Sequence, residues 1–120
     1  MQQAPAKIVA EVSKDLFERI VSKCPTDTGY TRANFQLTAD TPATGTIGEK
    51  PKQHGKLVFA KPETPELPEG TTRAWIVNNT PESELLEHGR SDQAPSGMIA
   101  ISIAEIEQEF SAIAERALKK

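Results

Sequence analysis

The sequence predicts a single α+β domain, in which two amphipathic helices cover one face of a small antiparallel sheet. Apolar residues recur at helical spacing near both ends of the chain, and short stretches with strand character lie between them. The length of 120 residues suits one hydrophobic core. We therefore assign residues 1–120 to one domain, with a long proline-rich loop or arm over residues 40–73.

The first helix is predicted from about Ala6 to Lys23 or Cys24. Charged residues occupy the side opposite its apolar stripe. Pro25 ends it, because proline restricts the residue before it and lacks a backbone donor. Cys24 is the only cysteine, and we expect its thiol to be buried, since free cysteine behaves as a small apolar residue. The apolar stripe contains Ile8, Val12, Leu16 and Ile20.

A tight turn is predicted directly after this helix, at Asp27, Thr28 and Gly29. The side-chain oxygens of Asp27 and Thr28 can bond nearby amides, and Gly29 can adopt a positive φ. Residues 33–38 then alternate between apolar and polar, which predicts a strand with one buried face. We assign these three turn residues a structural role, with Gly29 in a conformation that a side chain would resist.

The segment from residue 40 to residue 73 contains five of the nine prolines and four of the seven glycines. Residues 57–60 form an apolar run within it, which predicts a strand that pairs as a hairpin with the strand expected at residues 74–77. The remaining composition buries too little apolar surface to offset the entropy of ordering. We therefore expect this arm to become ordered mainly on contact with a neighbouring subunit.

The last third of the chain predicts two more helices. The first is short, at residues 81–88, and the polar loop 90–97 follows it. Residues 98–101 are predicted as a strand or an extended lead-in. Ser102 and Glu105 match a capping box, so the second helix is expected over residues 103–118. Its apolar positions are Ile103, Ile106, Phe110, Ile113 and Ala117.

Composition excludes several classes of protein. The formal net charge is -3 and long runs of lysine or arginine are absent, which argues against sequence-specific binding to nucleic acid. No apolar stretch is long enough to cross a bilayer, so a membrane role is not expected. The first ten residues do not resemble a signal peptide. We accordingly expect synthesis in the cytoplasm.

One cluster of side chains could bind a metal or transfer protons. Glu84, Glu87 and His88 lie close together on the predicted short helix, but a solvated helix face explains them more simply. His54 is the only other histidine, and it falls in the arm. We therefore assign no catalytic, cofactor-binding or metal-binding residue, and no cofactor. A small enzyme or ligand-binding module stays the least favoured alternative.

Two segments together resemble a family of bacteriophage proteins. The first is PTDTGYTRANF at residues 25–35, directly after an amphipathic helix. The second is IVNN at residues 76–79, followed by LLEHGRSDQAPSGM at residues 85–98. In this order, and with a helix after them, they are similar to the head-to-tail connector or tail-completion proteins of long-tailed phages.

This resemblance implies a structural virion protein without enzymatic activity. Such a protein forms a homo-oligomeric ring, of six or twelve copies, at the neck of the virion. Its partners would be the portal-side connector and the tail tube or tail terminator proteins, and it would be made in the host cytoplasm. A tail terminator or other tail-tube-capping protein is the alternative within the same virion.

The polar loop before the last helix is the predicted contact region of the subunit. It contains two glycines and a proline between two helices, a place where a rigid scaffold commonly presents a binding loop. We assign subunit or partner contacts, and neither metal binding nor catalysis, to Glu87, His88, Gly89, Gln93, Pro95 and Met98.

Overall fold

The computed structural model confirms an α+β fold with a small antiparallel sheet. It describes residues 4–26, 28–52, 57–83 and 97–119. Its elements are helix α1 (Ala4–Lys23), the one-turn helix α2 (Tyr30–Ala33), strand β1 (Phe35–Ala39), strand β2 (Ala74–Asn78) and helix α3 (Met98–Leu118).

Strands β1 and β2 pair antiparallel, with Leu37 opposite Ile76. The hairpin predicted between residues 57–59 and 75–77 is therefore wrong. Residues 57–60 have no strand structure. Strand β1 is the better partner for β2 because its apolar side chains, Phe35 and Leu37, are buried on one face of the sheet. Leu57 and Val58, in contrast, are exposed to solvent.

The hydrophobic core forms between α1, the sheet and the first turn of α3. Helix α1 lies against both strands, and α3 packs along α1. Met98 and Ile99, at the start of α3, reach the same core. The sheet is thus covered mainly by α1, while α3 forms an outer layer that supports α1. The buried cluster contains Phe17, Ile20, Val21, Cys24, Phe35, Leu37 and Met98.

Helix α3 begins five residues earlier than the sequence predicts. Residues 98–101 are helical, so the strand or extended lead-in expected there is wrong. Ser102 is not a cap. It is completely buried inside the helix, in line with Met98 and Ile106 on the face that packs inward. Gly97 occupies the N-cap position instead, with φ 86°.

The proline-rich segment has neither helix nor strand within residues 40–52 and 57–73. It nevertheless packs against its own domain. Leu67 contacts the core, and Thr71 is buried. Lys14 of α1 forms an ion pair with Glu66 at 2.9 Å. The described parts of this segment therefore gain order from α1, and not only from a neighbouring subunit as the composition suggested.

The predicted short helix is described only in part. Residues 81–83 are helical. Residues 84–88, and the polar loop up to residue 96, lie outside the described residues.

Candidate functional site

The predicted contact region is mostly outside the described part of the chain. Five of its residues lie outside the described residues: Glu87, His88, Gly89, Gln93 and Pro95. The sixth, Met98, has no exposed surface because its side chain fills the core between α1 and the sheet. Its assignment as a contact residue is corrected accordingly: Met98 stabilises the fold and has no surface to offer a partner.

The turn after α1 is built around Gly29. This residue is buried and has φ 82°, a left-handed conformation that favours glycine. The Thr28 hydroxyl accepts a hydrogen bond from the Tyr30 amide at 3.3 Å. Asp27, the third residue assigned to the turn, lies outside the described residues. The described geometry is that of a structural turn in which a side chain at position 29 would be strained.

The same turn holds the segment around residue 58. The backbone N–H groups of Val58 and Phe59 both donate to the Thr28 carbonyl oxygen, at 2.9 and 3.0 Å. The Phe59 ring packs on Tyr30, with 5.5 Å between ring centroids. A chain segment without secondary structure is thus fixed to the helical part of the fold, and Leu57 and Val58 are held at the surface.

An ion-pair network joins α1 to α3. Arg19 binds both carboxylate oxygens of Glu109, at 2.8 and 3.1 Å, and also contacts Asp15. Arg116 donates to Glu11 and to Asp15, at 3.1 Å each. Residues early in α1 therefore meet residues late in α3. The two helices are antiparallel, and these pairs fix their register.

The pKa values within this network indicate structural carboxylates. Burial alone would raise the pKa of Asp15, but hydrogen bonds from Arg19 and Arg116 outweigh it and lower the pKa of that carboxyl. A hydrogen bond from Lys23 lowers the pKa of Glu105. These groups are ionised at neutral pH and held by cations, which does not suit a general acid or base. The network holds α1 and α3 together, and its carboxylates are not suited to accept a proton from a substrate.

A groove of about 540 Å³ lies between α1 and residues 61–64. Phe17 and Val21 form part of its floor, and Lys61 and Glu63 lie on the opposite side. Thr64 closes one end with a hydrogen bond to Glu18 at 3.0 Å. Opposite charges line the groove in similar number, so it does not select a ligand of one charge.

The described residues contain neither a metal-binding cluster nor a membrane-spanning helix. No group of three or more histidine, cysteine, aspartate or glutamate side chains is placed there to hold a metal ion. Among the described helices, none combines the length and apolar character needed to cross a membrane.

The thiol of Cys24 is buried, as expected. Burial raises its pKa to about 12, although nearby Arg32 acts in the opposite direction. The thiolate is therefore scarce at neutral pH, and the thiol is a core residue and not a nucleophile.

Exposed apolar side chains are the distinctive surface feature. Within the proline-rich segment, Leu57 and Val58 are 60% and 56% exposed. On α3, Ile103, Phe110 and Leu118 are 41%, 47% and 50% exposed. We call the first two residues the Leu57–Val58 pair and the latter three the outer face of α3. Both are surfaces on which a partner could bury apolar area.

Sequence reasoning placed Ile103 and Phe110 in the apolar stripe of the last helix, together with residues that do face inward. Ile106, Ile113 and Ala117 are buried, whereas Ile103 and Phe110 lie at one edge of the stripe and are exposed. At 100° per residue, these five positions fall within an arc of about 80°, which is no wider than a stripe that packs on one neighbour. Their spacing therefore carries no signal that Ile103 and Phe110 are exposed.

Comparison of the chain with protein-family models, with curated proteins and with solved structures gave no match. The likeness to phage neck proteins therefore rests on residues 25–35 and 76–98 of the sequence.

Proposed function

We propose that this chain is a structural virion protein of a tailed bacteriophage, a ring-forming subunit at the neck that joins the head connector to the tail. The two sequence segments that resemble neck proteins support it. So does one structural observation, on which the proposal mainly rests: a domain of 120 residues exposes two groups of large apolar side chains, at Leu57 and Val58 and on α3, besides the single side chains of Ile47 and Trp75.

A ring can form when each subunit has two different apolar surfaces that bind each other. When a subunit uses one surface to bind a different surface of the next copy, the contact is heterologous, and repeated rotation closes it into a ring. Ring assembly would bury the Leu57–Val58 pair and the outer face of α3. The ion pairs between α1 and α3 meanwhile keep each subunit rigid, so that its surfaces have a fixed relative position.

Size-exclusion chromatography with light scattering, followed by negative-stain electron microscopy, tests the oligomeric state of the purified protein. We expect a closed ring of uniform diameter. A chain that remains monomeric throughout the micromolar range, and forms no ring when mixed with portal-side connectors, would contradict the proposal.

A genetic experiment tests the role in the virion. In a phage that encodes this chain, a stop codon early in its gene should yield filled heads and separate tails. Supplying the wild-type chain from a plasmid should restore joined particles. Normal yields of tailed particles without the protein would exclude a neck role.

A further inference from the structure

We infer that the Leu57–Val58 pair of one subunit packs on the outer face of α3 of the next copy. This inference rests on the proposed function and extends it by naming the two surfaces that meet. The occupant of the outer face of α3 is thus a second copy of this chain, bound head to tail.

The Leu57–Val58 pair is organised before it binds. The two hydrogen bonds to the Thr28 carbonyl fix the backbone at residues 58 and 59, and the Phe59 ring is anchored on Tyr30. Their own domain leaves the two aliphatic side chains more than half exposed. Because the backbone is already ordered, binding loses less conformational entropy than docking of a flexible loop would.

The outer face of α3 offers a matching apolar row. Ile103 and Phe110 are seven residues apart, which places them on the same side of the helix and about 10 Å apart along its axis. Leu118 lies eight residues beyond Phe110 and about 80° further around the helix, so it borders the row at its C-terminal end. Glu107 is exposed between the first two residues. The row is therefore apolar with an acidic group near its centre.

Charge favours the loop as the occupant of this row. Residues 50–61 contain four lysines and no acidic residue, and one of them, Lys50, is paired with Glu82. Lys52 and Lys61 flank the Leu57–Val58 pair in the sequence and are exposed. On α3, Glu105 and Glu109 are bound by cations of α1, whereas Glu107 is exposed beside the apolar row. Lys52 and Lys61 would thus complement Glu107, which favours association and selects its orientation.

The same charges disfavour the simplest alternative, in which the α3 helices of two copies pair with each other. That symmetric contact would place the exposed Glu107 of both copies in one interface. Like charges at close range oppose association. A head-to-tail contact avoids this repulsion and can also close into a ring.

A mixing experiment tests the head-to-tail contact. The face variant carries Ile103→Ser and Phe110→Ser, and the loop variant carries Leu57→Ser and Val58→Ser. We expect each variant alone to be monomeric by light scattering. Mixed in equal amounts, they should form a one-to-one dimer and nothing larger, because each retains one intact half of the contact.

Two controls show whether a variant has lost the contact between subunits or has failed to fold. All four substituted side chains are substantially exposed, so circular dichroism melts of both variants should match the wild type. Ile47→Ser removes an apolar side chain with 47% exposure outside both surfaces, and this protein should still form rings. If the loop variant still assembles while the face variant does not, α3 binds something other than the loop and the inference is wrong.

Charge reversal provides a second readout. Glu107→Lys, or Lys52→Glu with Lys61→Glu, should each raise the dissociation constant between subunits about tenfold at low salt, equivalent to about 1.4 kcal/mol. The protein with all three substitutions should regain most of the affinity. Absence of this recovery would overturn the assigned pairing. If the wild type forms rings and both variants do too, only this inference fails; if the wild type never assembles, the proposed function itself fails.

Discussion

Replacement of Gly29 by alanine tests the link between the first turn and the proline-rich segment. The residue has φ 82°, and a Cβ built on it would lie 3.0 Å from Leu57 Cδ1 and closer still to the Phe59 carbonyl oxygen. Backbone atoms cannot rotate away as a side chain can. The substitution must therefore move residues 57–59 away from the turn.

Gly29→Ala lowers the free energy of unfolding in two ways. A left-handed conformation costs an L-residue about 1 to 2 kcal/mol, from which a gain of about 0.4 to 1 kcal/mol is subtracted, because alanine restricts the unfolded chain. Moving the segment then weakens the two hydrogen bonds to the Thr28 carbonyl, each worth about 0.5 to 1.5 kcal/mol. We expect Gly29→Ala to destabilise the protein by about 2 to 4 kcal/mol.

Gly70 supplies a matched control. Its φ is 86°, but nothing lies within 4 Å of a Cβ built there. Gly70→Ala should therefore cost only the conformational part, about 1 kcal/mol or less. Urea denaturation followed by the fluorescence of Trp75 measures both variants. Equal losses for the two alanines would refute the argument, because the steric contact with residues 57–59 would then contribute nothing.

Three further outcomes are expected. Phe17→Ala empties a core position that is 2% exposed and should lower the free energy of unfolding by about 3 to 5 kcal/mol. Phe110→Ala, at an exposed position, should hardly change it. The midpoints of urea denaturation measure both effects. The folded state lowers the pKa of Asp15, so the stability that this carboxylate contributes is present above its unfolded pKa and is lost as the pH falls below about 4. Urea midpoints from pH 7 to pH 3 should show that loss, and Asp15→Asn should flatten the curve; a flat curve for the wild type would count against the ion pairs. Cys24 should react with a thiol reagent at pH 8 only at urea concentrations that unfold the protein, and rapid labelling of the folded chain would show that its burial is incomplete.

Local patterns predicted α1 well and misplaced the start of α3. In α1, Pro25 marks the end of the helix. Of the residues at four-residue spacing, only Ile20 is fully buried, while Phe17 and Val21 supply the rest of the buried side near the sheet. In α3, Ser102 and Glu105 have the spacing of a capping box, but that spacing also occurs inside helices. Ser102 is completely buried in a helix that packs along α1, and such a tertiary contact leaves no local mark in the sequence.

The pairing of the strands depended on contacts that local sequence does not encode. Residues 57–60 have strand composition, yet the amides of Val58 and Phe59 both donate to one carbonyl, that of Thr28. The choice of β1 as partner for β2 follows from burying Leu37 and Ile76 over α1. Composition described the proline-rich segment correctly as irregular, but it could not show that Leu67 would pack into the core.

Exposure of the candidate surface was the least predictable feature. Ile103 and Ile106 are both aliphatic residues in one helix, and only the position of α1 decides that the second is buried and the first is not. Charge patterning was more informative, because the lysines around residue 57 and the glutamates of α3 are visible in the sequence. The exposure of the two surfaces, by contrast, depends on tertiary packing.

The antiparallel pairing of α1 with α3 has a consequence for the order in which the chain folds. Arg116 donates to Glu11, a residue 105 positions earlier. Contacts of such long sequence separation form only after most of the chain has been synthesised, and they slow folding. Until α3 emerges from the ribosome, the apolar side of α1 is without its second layer and open to aggregation. The surface inferred above to receive the next copy lies on this helix, so it would form only when the long-range contacts between α1 and α3 do.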